Sequence, residues 1–127
     1  MRIVILFVLT LVVMTCSEVS AQEQNEQLVR LAKLVIDSAQ LDQYRKFLTE
    51  EIETSIEVEP GVLTLYAVAE KTRPTHITIL EIYENIEAYK KHIQTPHFLK
   101  YKNGTKDMVL SLELVDTTPL IPEMKIK

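Results

Sequence analysis

The sequence predicts an α+β domain whose elements run β-α-β-β-α-β, with the second helix in two pieces. Three observations predict it. Apolar residues recur every three or four positions between Ala39 and Glu57. Two β-favouring runs, Val62 to Glu70 and Thr75 to Glu84, flank the turn-like Lys71-Thr72-Arg73-Pro74. Thr95-Pro96 then interrupts the helical pattern that begins after Asn85.

Each element has a local cause. Gln27 to Ile36 is dense in Leu, Val and Ile, with Arg30 and Lys33 interrupting, and reads as a strand apolar on both faces. Asp37 or Ser38 offers a side-chain oxygen for a helix start, and Gln40 stands three residues after Asp37 as in a capping box. The helix that follows carries its stripe on Leu41, Tyr44, Leu48, Ile52 and Ile56. Glu50, Glu51 and Glu53 fall off that stripe and read as a solvated face rather than a metal or proton site. Glu59-Pro60-Gly61 ends the helix, because Pro cannot continue it and Gly lets the chain turn.

The two β-favouring runs pair as an antiparallel hairpin. Alternation in the second sets Ile77, Ile79, Glu81 and Tyr83 on one face, so Glu81 lies among apolar neighbours. Such a carboxylate is either solvated at a strand end or buried, with a raised pKa and a partner nearby. Asn85 can cap the next helix, which shows Ile86, Tyr89 and Ile93 at helical spacing. Thr95 as N-cap and Pro96 at the first helical position place His97 and Phe98 in the first turn of a new helix. That helix continues through Leu99 and Tyr101 toward Met108 unless Asn103-Gly104 ends it early. Val109 to Val115 alternates as a last strand, and a Pro-containing tail follows from Thr117.

This order is the ferredoxin-like split pattern. Its helices cover one face of an antiparallel sheet and leave the other, also apolar here, without a cover. Two sheets packed face to face would bury it, so a homodimer is expected.

The N-terminus adds an expectation about location. Met1-Arg2, an apolar run from Ile3 to Met14 and the small residues ending at Ala21 have the three-part plan of a secretory leader. The run is too short for the roughly 20 residues that span a bilayer as a helix. Residues 1–21 therefore read as a removed leader, followed by a domain at 22–118 and a tail at 119–127. Cys16 offers a rival reading as a lipid-attachment point, although Thr15 before it is bulky for such a site. The chain is thus expected to be exported, periplasmic or secreted, with no membrane span. Cys16 is the single cysteine, so the mature domain has no disulfide, thiolate chemistry or cysteine-based metal site. The net charge of −4 argues against nucleic acid as a partner.

Motifs with chemistry are sparse. Phosphate-binding loops, nucleophile elbows and paired catalytic carboxylates at recognisable spacing do not occur. Asn103-Gly104-Thr105 matches a glycosylation sequon, a pattern short enough to arise by chance. His92 and His97 straddle a helix break and lack the i, i+4 spacing that lets two imidazoles share an ion, and His76 lies elsewhere, so no metal is expected. A helix N-terminus disfavours positive charge, which should keep His97 neutral and able to act as a base.

The run Glu81-Ile82-Tyr83, with His92-Ile-Gln-Thr-Pro-His97-Phe98 after it, resembles the antibiotic biosynthesis monooxygenase family, including its quinol monooxygenase members. The similarity extends over about 22–118 in element order and spacing, and Glu59-Pro60-Gly61 also looks like the family. The resemblance implies a dimeric α/β-barrel of ferredoxin-like subunits. It also implies oxidation of aromatic phenols, quinols or polyketides by molecular oxygen without flavin, haem or metal. In such chemistry the protein deprotonates the phenol, and the anion passes electrons to oxygen. On that resemblance His97 is the catalytic base or hydrogen-bond partner and Glu81 its orienter, with Tyr66, Tyr83, His92, Phe98 and Tyr101 around the substrate. Family members often carry Trp where this chain has Tyr83. Two other readings stay open: a non-catalytic dimeric module that holds an apolar or aromatic ligand, and a haem protein ligated through His92 or His97.

Overall fold

In the computed structural model, which describes residues 26–121, four strands form one antiparallel sheet and the helices lie across one of its faces. The strands are β1 (Leu28–Ile36), β2 (Val62–Ala69), β3 (His76–Tyr83) and β4 (Val109–Thr117), in the spatial order β2-β3-β1-β4. The helices are α1 (Leu41–Val58), α2 (Ile86–His92) and α3 (Pro96–Thr105), and a single 3₁₀ turn at Ser38–Gln40 leads into α1. The expected leader, Cys16 and residues 122–127 of the tail lie outside the described residues. No helix among the described residues is long and apolar enough to cross a membrane.

Local chemistry sets the boundaries. The Asp37 carboxylate accepts from the Ala39 N–H and from the Gln40 side chain, both at 3.0 Å. Asn85 accepts from the Ala88 N–H at 2.9 Å. Thr95 caps α3 by accepting from the Phe98 N–H at 3.3 Å, with Pro96 in the first turn. α3 runs through Asn103-Gly104 rather than ending there, because the Phe47 ring of α1 packs on Gly104, where a side chain would not fit. Gly61 has no left-handed backbone, so its role is not conformational freedom. A Cβ there would lie 2.6 Å from the Ala88 Cβ, and α2 can approach the α1–β2 turn only because this position is bare.

The sheet register decides which side chains meet the helices. Ala32 pairs with Ile79 and Leu34 with Ile77 across β1 and β3. These four, Ile36, and Tyr44 and Leu48 of α1 form the main core. A smaller cluster of Val62, Leu65 and Tyr83 packs under α2 through Ala88 and Tyr89. The α1 stripe differs from the expected one in its last two turns. Ile56 is 48% exposed, whereas Glu51 and Ser55 are buried. The inward positions are therefore Tyr44, Leu48, Glu51 and Ser55, which are themselves spaced by four, three and four.

The helices leave the middle of β4 uncovered, although Val109 at its start packs on the core. Leu112 and Leu114 pair with the buried Leu34 and Ala32, yet remain 56% and 50% exposed. On the opposite face a row of apolar side chains crosses the sheet from Tyr66 through Leu80 and Leu31 to Val115. No helix among the described residues covers that row.

Candidate active site

Between the helix-bearing face of the sheet and α1, α2 and α3 lies a cavity of about 530 Å³, open toward β4. Its size falls within the range of small-molecule sites. Tyr83, Phe98 and Tyr101 give it an aromatic wall, Leu112 and Leu114 an apolar mouth, and Arg30, Glu51, Glu81 and His92 a polar end.

The polar end follows from strand parity and helix phase. Glu81 shares the inward face of β3 with Ile79 and Tyr83, and it pairs in register with Arg30 of β1 and Leu65 of β2. Burial pushes the Glu81 carboxyl up to about 7, against the pull of the Arg30 charge. Arg30 itself is held from the rim by Asp116 at 2.8 Å and lies over the Tyr89 ring, 4.6 Å from its centre. A guanidinium thus stands beside a carboxyl poised to titrate near neutrality.

His92 closes the same end. It is almost fully buried, packed between the rings of Tyr83 at 5.3 Å and Phe98 at 5.0 Å. Its Nδ1 lies 2.9 Å from Glu59 Oε2, and its Nε2 faces Glu51 Oε1 at 3.3 Å. The same Glu59 oxygen accepts from His97 Nε2 at 2.7 Å. Burial alone would raise Glu59, but the hydrogen bonds from His97 and His92 together outweigh it and hold the carboxyl below its ordinary range. An ionised carboxylate only accepts, so both nitrogens facing Glu59 carry hydrogen. Glu51 moves the other way: burial raises it, although Ser55 Oγ donates to it at 2.8 Å and His92 lies beside it. Tyr44 and Tyr101 share a hydroxyl contact of 2.7 Å below this group, and burial drives the Tyr44 hydroxyl up to about 12.

The expected site residues divide. Glu81, Tyr83, His92, Phe98 and Tyr101 all line the cavity. His97 does not; its ring lies behind His92 with Nε2 on Glu59, so it is no direct base for a molecule in the cavity. The partner of His97 is Glu59 rather than Glu81. Tyr66 is also displaced, standing 66% exposed on the outer face. The reason is an irregularity between Val62 and Thr64 that shifts the register of β2 and turns Leu65 and Ala67 inward. The sequence reading missed Arg30, Glu51 and Glu59 as site residues. Glu51 was detectable, since it lies on the Tyr44–Leu48–Ser55 phase, whereas Glu59 carries no periodic signal.

Despite the break between their helices, His92 and His97 converge, and with Glu59 they place three donor atoms within 4.8 Å of one another. Each of those nitrogens already has its hydrogen bond to Glu59, so the group is complete as a hydrogen-bonded cluster. The imidazole on the cavity wall, His92, has a carboxylate at both nitrogens, which leaves it no side for an axial haem bond.

The model of the antibiotic biosynthesis monooxygenase family matches residues 27–104. A solved structure from Bacteroides thetaiotaomicron, named as a candidate antibiotic biosynthesis monooxygenase, is 61% identical, with 80% of this chain and 97% of that one covered at a TM-score of 0.79. A candidate monooxygenase from Lactobacillus acidophilus is 30% identical over 72% of this chain and 43% of its own, at a TM-score of 0.69. A candidate family member from Nitrosomonas europaea, at 20% identity and a TM-score of 0.71 over 78% of this chain and 95% of that one, shares the fold. No curated protein matches the chain. With the family model covering most of the domain and a 61% identical relative beside it, the chain belongs to the antibiotic biosynthesis monooxygenase family.

Proposed function

We propose that the chain is an exported, cofactor-independent monooxygenase that oxidises small aromatic quinols or phenols with molecular oxygen. The observation that carries this reading is the cavity itself: an aromatic wall of Tyr83, Phe98 and Tyr101 ends at Glu81 and Arg30. A planar phenol stacks on the wall and points its hydroxyl at the polar end. Glu81, poised near 7, takes the hydroxyl proton, and Arg30 holds the phenolate. The electron-rich anion then reduces oxygen without help from a bound redox group. A phenol with a free para position gives a quinone, with one oxygen atom in the product and the other in water. Oxygen and substrate enter past Leu112 and Leu114.

The apolar row on the outer face supports a homodimer formed sheet to sheet. Sedimentation velocity of the mature chain checks this, and a monomer at micromolar concentration refutes it. Export is checked by fractionation and N-terminal sequencing, with Gln22 expected first and a lipid on Cys16 as the competing result.

For the activity, oxygen uptake is followed with a menadiol-type quinol. Wild type should exceed the uncatalysed rate and Glu81→Gln should fall close to it; a wild type no faster than buffer defeats the reading. Ligand-induced stabilisation without turnover would instead support a binding module.

A further inference from the structure

We infer that Glu51 and His92 form a second acid–base unit of the cavity, sharing one proton, and that Glu59, held by His97, is the positioning residue that sets it. The inference rests on the oxygenase reading for the reaction it serves, and on contacts and burial for the shared proton.

The geometry is a sequence of contacts leading away from the cavity. Glu51 and His92 line it, with side chains only 6% and 3% exposed. Glu59 and His97 lie behind them at 12% and 14%. Glu59, ionised and accepting from both imidazoles, fixes the hydrogen of His92 on Nδ1. That leaves Nε2 of His92 without a hydrogen and 3.3 Å from Glu51 Oε1, the contact across which the proton is shared, while Ser55 Oγ donates to the same Glu51 oxygen. Burial favours a protonated Glu51, so the carboxyl is the donor and the imidazole the acceptor. His97 orients Glu59 from the other side, as a third group orients the base in a triad. Two environments in one cavity thus differ: Glu81 beside a guanidinium, and Glu51 beside an imidazole with no cation.

The chemistry needs two such groups. Glu81 removes the phenol proton and returns it to the peroxide anion formed when oxygen adds to the ring carbon. The resulting hydroperoxide must then lose water. The ring C–H bond breaks and its electron pair forms the new carbonyl, while the O–O bond breaks and hydroxide leaves. Glu81 accepts the ring proton and Glu51 delivers the proton that turns hydroxide into water. Solvent in the open cavity carries the proton back from Glu81 to the Glu51–His92 unit. No net proton and no outside reductant is required.

The test uses Glu51→Gln, Glu59→Ala and His97→Asn in the full mature protein. With an active quinol or phenol, Glu51→Gln should lower kcat at least about tenfold, within the range of general acid catalysis, with KM little changed. With a quinol it should also release hydrogen peroxide together with the unhydroxylated quinone in place of part of the hydroxylated product, which a purely structural defect does not do. Glu59→Ala and His97→Asn should lower kcat less, and Glu59→Ala should mix the two tautomers of His92 in ¹⁵N NMR. A fully coupled Glu51→Gln enzyme of wild-type rate overturns the acid role. The shared proton is read without turnover. The infrared difference between wild type and Glu51→Gln should contain a protonated-carboxyl band at neutral pH, and its absence overturns the inference even in an active enzyme. If wild type consumes no oxygen but the band is present, the oxygenase reading fails while the Glu51–His92 proton stands.

Discussion

Replacing Glu59 by alanine removes the acceptor for two imidazoles at once, and the structure sets the scale of the loss. Both hydrogen bonds are short, 2.9 Å to His92 and 2.7 Å to His97, and the acceptor is charged. A hydrogen bond to a charged group contributes about 1.5–3 kcal/mol, and a buried donor left without any partner costs its full desolvation. The His92 side chain is 3% exposed, so water cannot replace Glu59 there, and about 2 kcal/mol is expected from that bond. The His97 side chain, at 14%, can turn its N–H toward solvent, which reduces its share to about 1 kcal/mol. The total of about 3 kcal/mol corresponds to a fall of roughly 12–24 °C in Tm for a domain of this size. Glu59→Gln keeps an amide oxygen that can accept both bonds and should lose about half as much. His97→Ala leaves His92 bonded and should cost about 1 kcal/mol. Chemical denaturation of the four proteins measures these differences. A loss under about 1 kcal/mol for Glu59→Ala, or equal losses for Glu59→Ala and His97→Ala, would show that the cluster is not a shared network.

Glu81 makes stability depend on pH. Its folded pKa, raised to about 7 from an ordinary 4.5, means the folded chain binds more protons than the unfolded chain between those values. Stability should therefore fall as pH rises from about 4.5 to 7, and Glu81→Gln should make that slope shallower in pH-dependent melts, leaving the part that the raised Glu51 contributes in the same sense. Glu59 acts in the opposite sense. Its lowered pKa gives stability that is present above the ordinary carboxylate range and lost as pH falls below it, so Glu59→Gln should flatten the acid limb. Gly61→Ala drives a Cβ to 2.6 Å from the Ala88 Cβ and should cost about 1–3 kcal/mol by forcing α2 outward, visible as lost thermal stability. Thr95→Ala removes the cap on Phe98 N and a 2.7 Å bond to the His92 carbonyl, for about 1 kcal/mol. Its effect should be non-additive with Glu59→Ala, because Thr95 holds the joint that brings both imidazoles to one carboxylate.

The outline of the fold was legible because short-range rules wrote it. Parity along β3 placed Glu81 inward with Tyr83, the 3.6-residue period found α1, and Thr95-Pro96 located the start of α3. The same rules failed where one residue changes a phase. Counting by twos from Val62 puts Tyr66 on the buried face, but the register shift between Val62 and Thr64 sends it outward and brings Leu65 in. An α1 stripe ending on Ile56 leaves Glu51 in solvent, whereas the stripe ending on Ser55 buries it.

The centre of the site lies beyond any local rule. Glu59 stands 33 residues from His92 and 38 from His97, and only the packing of α2 against the α1–β2 turn brings the three together. In the sequence Glu59 looks like part of a helix stop, and His92 and His97 look like two rings separated by a break. That break makes the site possible. In an unbroken helix two rings five positions apart would point about 140° away from each other around the axis, while the Thr95 bend folds His97 back so that both nitrogens reach one oxygen. A straightened α2–α3 joint would keep every residue of the motif and lose the ionised Glu59 clamp, and with it the fixed tautomer of His92. The sequence motif therefore marks the fold and carries Glu81, whereas the tautomer of His92 depends on a carboxylate outside it.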